Sequence, residues 1–449
     1  MRIWQCIKGL LKRNKYIYAV LRKVKYTYLW VRWEVVRPLR DKILNRLLRI
    51  KGFCFRCPVV RRTLQKIKYW IKEKLVETFR YKKYKIVSSE YAERKGWCVQ
   101  KTIEPGQRRP VHVGEFYERR EAEQRSFLSP EIKVSVYRDV EIIGGASFLL
   151  HGQNMVYDIA VLKKKTIDLV GPVVKWVRGN GTAAITYTDE GDSIEEGICM
   201  FGLASYNYYH FSVEILSRLA YVDRFPKMRG LPIIVDGIVS TVPNMMKLLE
   251  TVNQYGHPVI FIKNTCLYRV RRLIYPSYNT WMPINVKDRI LAPDDYLIAK
   301  SAVENLREAV LAGVENMPFR KIYLSRMNMG NVRLKNEKTV RDLFEKYGFE
   351  IVYPERLSFV EQVRIFSEAR YVAGAVGGAM TNLVYCSPGS QLICILPEEF
   401  KFHLYSTLAY LVGMKVVNLD ARITEYTDYI STDSYELDVK YAERLLKTL

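Results

Sequence analysis

The sequence predicts an α/β body with a parallel sheet, preceded by a basic helical extension. Three observations carry that prediction. Short apolar runs alternate with segments of helical period between residues 320 and 396. Almost all the net charge lies in the first 90 residues. The chain is also long, at 449 residues with 49% hydrophobic side chains, which is ample for more than one core.

The extension, residues 1–88, comes first. Residues 1–90 hold 26 Lys and Arg against five acids, whereas the remainder holds 45 against 42, so almost all of the formal charge of +24 belongs to the extension. Ile3, Ile7, Leu10, Ile17, Leu21, Val24, Tyr28 and Val31 follow a three-then-four spacing that puts them on one helix stripe. Leu64, Ile67, Ile71, Leu75 and Phe79 repeat the design. Bases off the stripe, with Trp4, Trp30, Trp33 and Trp70, suit an anionic membrane surface met through residues 1–80. Packing of these helices on the protein's own body is the alternative. No nucleic-acid motif accompanies the charge, so no specific nucleic acid is expected. Neither an apolar run of about 20 residues nor a secretory signal occurs, which places the chain in the cytoplasm, peripheral to the inner face of the cell membrane. Cys54 and Cys57 form a C-x-x-C without a second Cys/His pair nearby, and the eight cysteines are scattered, as a reducing compartment allows.

Residues 89–285 begin with short alternating segments such as "KVSVYRDVEI" and "AAITYT", punctuated by turns at "PGQRRP", "GQN" and "RGNG". They continue with a buried strand "LPIIVDG", a helix "TVPNMMKLLETVNQYG" closed by Gly256, and a strand "PVIFIK". Residues 286–420 open with a helix, "DDYLIAKSAVENLREAVLAG". The regular run follows: strand "RKIYLSR", helix "NEKTVRDLFEKYG", strand "FEIVYP", helix "SFVEQVRIFSEA", strand "YVAGAV", a helix and turn "GGAMTNLVYCSPG", and strand "QLICILP". Alternation at this spacing implies parallel strands with helices on both faces. Residues 421–449 read as a C-terminal helical segment.

Within this run, "GAVGGAMTN" lies at the carboxyl end of a strand and opens a helix. Ligands of open α/β sheets lie at that edge, and a helix N-terminus favours phosphate. Gly374, Gly377 and Gly378 would let a diphosphate approach the backbone, and Thr381 and Asn382 would add hydrogen bonds. The spacing is neither G-x-G-x-x-G nor a Walker A loop, and strand–helix packing without a ligand also accounts for glycines. Other polar groups gather at comparable strand ends: Ser325 and Arg326; Arg333, Asn336 and Glu337; Glu361 and Gln362. Asn336 with Glu337 could simply begin a helix, and Ser358 with Glu361 fits a capping box. Arg326 suits a bidentate phosphate contact.

In order and spacing, "RKIYLSR", Arg333, "NE", "EQ", the glycine stretch ending in "TN", and "SPG" resemble the C-terminal signature of glycosyltransferase family 61. "NYYHFSVEILSRL", residues 207–219, resembles the motif in that family's N-terminal half. The resemblance spans roughly residues 100–420. One departure stands out: where many members carry His in a G-x-H-G-A pattern, this chain has Val376.

The resemblance implies a GT-B architecture, two Rossmann-like domains facing a cleft, with an acceptor side in 89–285 and a nucleotide-sugar site in 286–420. It implies an inverting transfer to a capsular or exopolysaccharide acceptor, with no cofactor, no obligatory metal and the nucleotide-sugar as donor substrate. A lipid-linked acceptor follows from the membrane reading of the extension. No D-x-D motif stands at a plausible strand end, since Asp294 and Asp295 sit at a helix start. Arg326, Arg333 and the Gly377 region would then neutralise the leaving diphosphate. On the acceptor side, with Asn207, the spacing of His210, Glu214 and Arg218 stacks them on one helix face. His210 is the candidate base with Glu214 orienting it, Glu214 the alternative base, and a surface Glu214–Arg218 ion pair the reading without chemistry. A polysaccharide pyruvyl transferase and a non-catalytic scaffold of a glycan-assembly complex are the competing functions.

Overall fold

The computed structural model describes residues 81–158, 171–178, 181–282, 296–314, 317–327, 332–427 and 432–449. The amphipathic stripes and the C-x-x-C of the extension, and Asp294 and Asp295, lie outside them. Residues 81–449 form one compact unit built on two large sheets.

The first sheet is mixed. In spatial order its strands are Val259–Ile262, Ile233–Asp236, Ile194–Met200, Cys266–Pro276, Ile132–Ile143, Leu149–His151, Asn154–Val156, Lys82–Val87, Thr182–Ile185 and Val174–Val177. The first four are mutually parallel, with Ile198 opposite both Ile233 and Ile274, so their carboxyl ends share one edge. Ile132–Ile143 then pairs antiparallel along nearly the whole of Cys266–Pro276. The expected boundary at residue 88 falls one strand inside this sheet. "KKYKIV" alternates exposed lysines with buried Tyr84 and Val87, and that period of two is hard to see amid so dense a run of bases.

The second sheet is parallel throughout: Glu350–Val352, Arg320–Leu324, Ala369–Ala375, Gln391–Leu396, Lys415–Asp420 and Glu115–Phe116. Its central strands are near-continuous apolar runs whose consecutive residues are buried on both faces. The edge strand Glu115–Phe116 comes from the first half of the chain, so chain halves and sheets do not coincide. One apolar core also runs through both.

The helices obey local rules. Phe359–Ser367 starts on the Ser358 capping box, and Pro243–Val252 places its proline at the first helical position. Leu404–Val412 stops at Gly413, whose φ of 89° suits a residue without a side chain. Lys300–Val310 begins several residues later than its sequence pattern suggests. The C-terminal segment is not wholly helical: Arg422–Glu425 pairs antiparallel with Ser434–Glu436 before helix Val439–Leu446 begins on Asp438. "RITE" and "SYE" are rich in β-branched and aromatic groups, which favour strand over helix. Among the described residues no helix is long and apolar enough to cross a membrane.

Candidate functional site

The glycine stretch follows strand Ala369–Ala375 and leads into a 3-10 helix, Gly378–Tyr385, rather than an α-helix. Its glycines serve different neighbours. Gly374 has φ 152°, and a Cβ there would press on the Leu324 carbonyl of the adjacent strand at 2.9 Å. At Gly377 a Cβ would occupy the space of the Arg326 guanidinium. A Cβ added at the exposed Gly378 would meet nothing within 4 Å, so that face is open.

Arg326 leaves the end of strand Arg320–Leu324 and donates Nη1 to the Val376 carbonyl at 3.2 Å. Arg333 donates Nη2 to that same oxygen at 2.5 Å. Both guanidiniums are half-buried, and among the described residues neither makes an ion pair with a carboxylate. Burial, and then the like charge of Arg333, push the Arg326 guanidinium down from its ordinary range. Two cations are thus gathered at the carboxyl edge of a parallel sheet, beside a bare stretch of backbone. At the position of the family's histidine, Val376 buries its side chain and presents its carbonyl as the shared anchor.

Several predicted donor residues support this pair instead of lining it. Glu337 accepts the Arg326 backbone N–H at 2.7 Å, and its burial raises the carboxyl's pKa. Ser325 is buried behind it. Asn336 exchanges two hydrogen bonds with Leu437, at 2.8 and 3.2 Å, and so ties the loop to the C-terminal segment. Asn382 donates to the Gln362 side chain at 2.7 Å, and Gln362 donates to the carbonyls of Pro354 and Leu357, which locks the two helices together. Glu361 closes the capping box on Ser358 at the surface. Asn336, Gln362 and Glu361 thus spend side-chain atoms on the fold itself, whereas Asn382, whose amide N–H is engaged by Gln362, keeps a buried Oδ1 without a partner. The Thr381 hydroxyl is buried beside Tyr405 without a well-formed hydrogen bond.

Two tyrosines of this site were not singled out in the sequence. Burial pushes the Tyr405 phenol up to about 12, with Thr381, Arg326 and Arg333 drawing it the other way. Arg333 lies 5.7 Å over the buried Tyr435 ring, whose strand hydrogen-bonds the Arg333 and Lys335 backbone. Each is one aromatic among 32 tyrosines, and only folding distinguishes it.

On the other side, His210–Ile215 is a π-helix running into a 3-10 turn, Leu216–Arg218. Both residues of the predicted base pair are buried, and His210 Nδ1 lies 2.6 Å from Glu214 Oε2. With Glu214 as a carboxylate, that contact engages the Nδ1 proton and leaves Nε2, which carries no hydrogen bond among the described residues, as the acceptor nitrogen. Arg218 does not join them. The change from wide to narrow helix rotates it away, and fully buried it donates to the carbonyls of Ile215 and Pro276 and stacks 4.2 Å over Tyr278. The surface ion pair is therefore absent, and the acceptor-side assignment of Arg218 is corrected to a core role. Asn207 caps the approach by accepting the Tyr209 N–H at 2.9 Å.

The two groups are linked. Tyr208 and Tyr385 hydroxyls meet at 3.1 Å, and the Tyr209 ring packs edge-on to both His210, at 5.4 Å, and Tyr405, at 6.3 Å. Tyr405 in turn neighbours both arginines. A separate pocket lined by Ala146, Phe148, Val173, Val174 and Leu203 carries no charged side chain.

The arrangement combines an oriented imidazole with a two-arginine anion cradle. A family model described as Glycosyltransferase 61 matches residues 208–393, from the His210 helix through the glycine stretch. No curated protein matches the chain. Over residues 208–393 the chain resembles glycosyltransferase family 61, and that resemblance supports a glycosyltransferase activity in general.

Proposed function

We propose that the protein transfers a sugar from a nucleotide-sugar to a glycan hydroxyl with inversion at the anomeric carbon, on a GT-B-like scaffold. The observation that carries this reading is the convergence of Arg326 and Arg333 on one carbonyl, without carboxylate partners among the described residues, beside the open face of Gly378. The donor's diphosphate supplies the missing anion. As the sugar–phosphate bond breaks, the two guanidiniums take up the growing charge on the leaving group, so this role needs no obligatory metal or cofactor. His210 Nε2 accepts the proton of the attacking hydroxyl, while Glu214 holds Nδ1–H and stabilises the imidazolium. Direct attack with one displacement inverts the centre.

A lipid-linked acceptor for a capsular or exopolysaccharide fits the basic, tryptophan-bearing extension. In this reading residues 1–80 hold the enzyme at the anionic inner face of the membrane. Deleting residues 1–80 is expected to release the protein from the membrane fraction; unchanged recovery there contradicts the tether. The chemistry is tested with UDP-, GDP-, CMP- and dTDP-sugars, and with phosphoenolpyruvate as the donor of a pyruvyl transferase. Turnover of one nucleotide-sugar class supports the proposal, and turnover of phosphoenolpyruvate alone overturns it.

A further inference from the structure

Ala204 to Asn207 form a tight turn beyond the carboxyl end of strand Ile194–Met200, closed by the Asn207 N–H donating to the Ala204 carbonyl at 2.8 Å. The turn is latched from below. Buried Asp236, at the end of the neighbouring parallel strand, accepts the N–H groups of Gly145 at 2.7 Å and Gly202 at 3.1 Å, and the Ser205 hydroxyl. Ala204 is held at φ 65°, a conformation costly for a residue with a side chain.

Ala204 and Ser205 are buried, yet Tyr206 at the tip keeps 64% of its surface exposed. Asn207 uses Oδ1 on the Tyr209 N–H, while its Nδ2 makes no hydrogen bond among the described residues. Tyr208, two residues past the tip, touches Tyr385 at the end of the helix that begins in the glycine stretch, and His210 comes next but one. The turn therefore stands beside both the candidate base and the donor half.

We infer that Tyr206 and Asn207 form a stacking subsite for a pyranose unit of the acceptor glycan. A pyranose offers a face of polarised C–H groups and a rim of hydroxyls. The negative face of the phenol ring suits the first, and a free amide N–H suits the second. Because the latched turn fixes the backbone that carries Tyr206, only side-chain freedom is lost when a sugar lands on the ring. Single exposed aromatics are ordinary on protein surfaces, but this one sits on a strained turn tied to the candidate base. The inference rests on the transferase reading and adds the group that holds the acceptor.

The test is saturation-transfer NMR on the full chain, with methyl β-D-glucopyranoside and methyl β-D-galactopyranoside as probes and excess UDP filling the donor side. Ring C–H protons of a probe are expected to receive saturation from the wild type and from Tyr206→Phe. Tyr206→Ala, with its melting temperature unchanged, is expected to lower that saturation roughly three- to tenfold, the scale of one stacking contact. No saturation with the wild type, or equal saturation with Tyr206→Ala, overturns the inference. UDP binding is read separately by thermal shift. Its absence alongside a Tyr206-dependent sugar signal defeats the transferase reading and leaves the saccharide subsite standing.

Discussion

Gly377 and Gly378 are adjacent, yet a methyl group added to each meets different surroundings. At Gly377 it displaces the Arg326 guanidinium; at Gly378 it enters open space. Gly377→Ala is therefore expected to lower both the melting temperature and nucleotide affinity. Gly378→Ala is expected to stay within about 0.5 kcal/mol of wild-type stability, as a surface substitution does, while weakening nucleotide binding by calorimetry. Equal nucleotide affinity in Gly378→Ala would remove the diphosphate from that surface. A second pair separates chemistry from binding. His210→Ala is expected to lower kcat about 10²- to 10⁴-fold, the usual contribution of a general base, with nucleotide Kd unchanged. Glu214→Gln leaves the ring in place but weakens its orientation, so an intermediate loss is expected. Full activity in His210→Ala would dismiss it as the base.

At the scale of elements, sequence and structure agree where period and caps are strong. The parallel strands around Val372 and Ile393 announce themselves as apolar runs, and Ser358 with Glu361 reads directly as a cap. Glu361→Ala is accordingly expected to cost about 0.5–2 kcal/mol in urea unfolding while leaving nucleotide affinity untouched, because its carboxylate closes a helix end. A matching loss of affinity would return Glu361 to the donor site. What the sequence could not convey was how helix type changes along one segment. Spacing alone aligned His210, Glu214 and Arg218, but a π-turn followed by a 3-10 turn keeps the first pair and sends Arg218 into the core. Likewise Asn382 and Gln362 are polar groups at the right strand edge, and only the folded chain shows that the Asn382 amide N–H is engaged by Gln362 while its Oδ1 is left without a partner. Tyr405 and Tyr435 lacked any local signal, since they reach the arginines from segments distant in the chain.

At the scale of the whole molecule, electrostatics set a pH limit. His403 is buried, and burial, with Arg120 and Arg125 nearby, pushes its imidazole down to about 4. The folded protein therefore holds a neutral ring that the unfolded chain protonates below about 6.5. Its contribution to stability is complete above that value and is lost as pH falls toward 4, at about 3 kcal/mol in all. Denaturant unfolding from pH 7 to pH 4 should show this loss, and His403→Phe should flatten it. An unchanged slope in that variant would assign the acid sensitivity elsewhere. The same molecule links the segment of the imidazole–carboxylate pair to that of the arginine pair through the Tyr208–Tyr385 and Tyr209–Tyr405 contacts. In the proposed reaction the arginine pair holds the donor's diphosphate. Calorimetric titration of UDP, GDP, CMP and dTDP into wild type, Arg326→Gln and Arg333→Gln tests it most directly. One-site binding of a nucleoside diphosphate is expected, weakened at least about tenfold in each variant as for loss of a charge-assisted hydrogen bond; unchanged affinity in both variants would remove the arginine pair from the donor site.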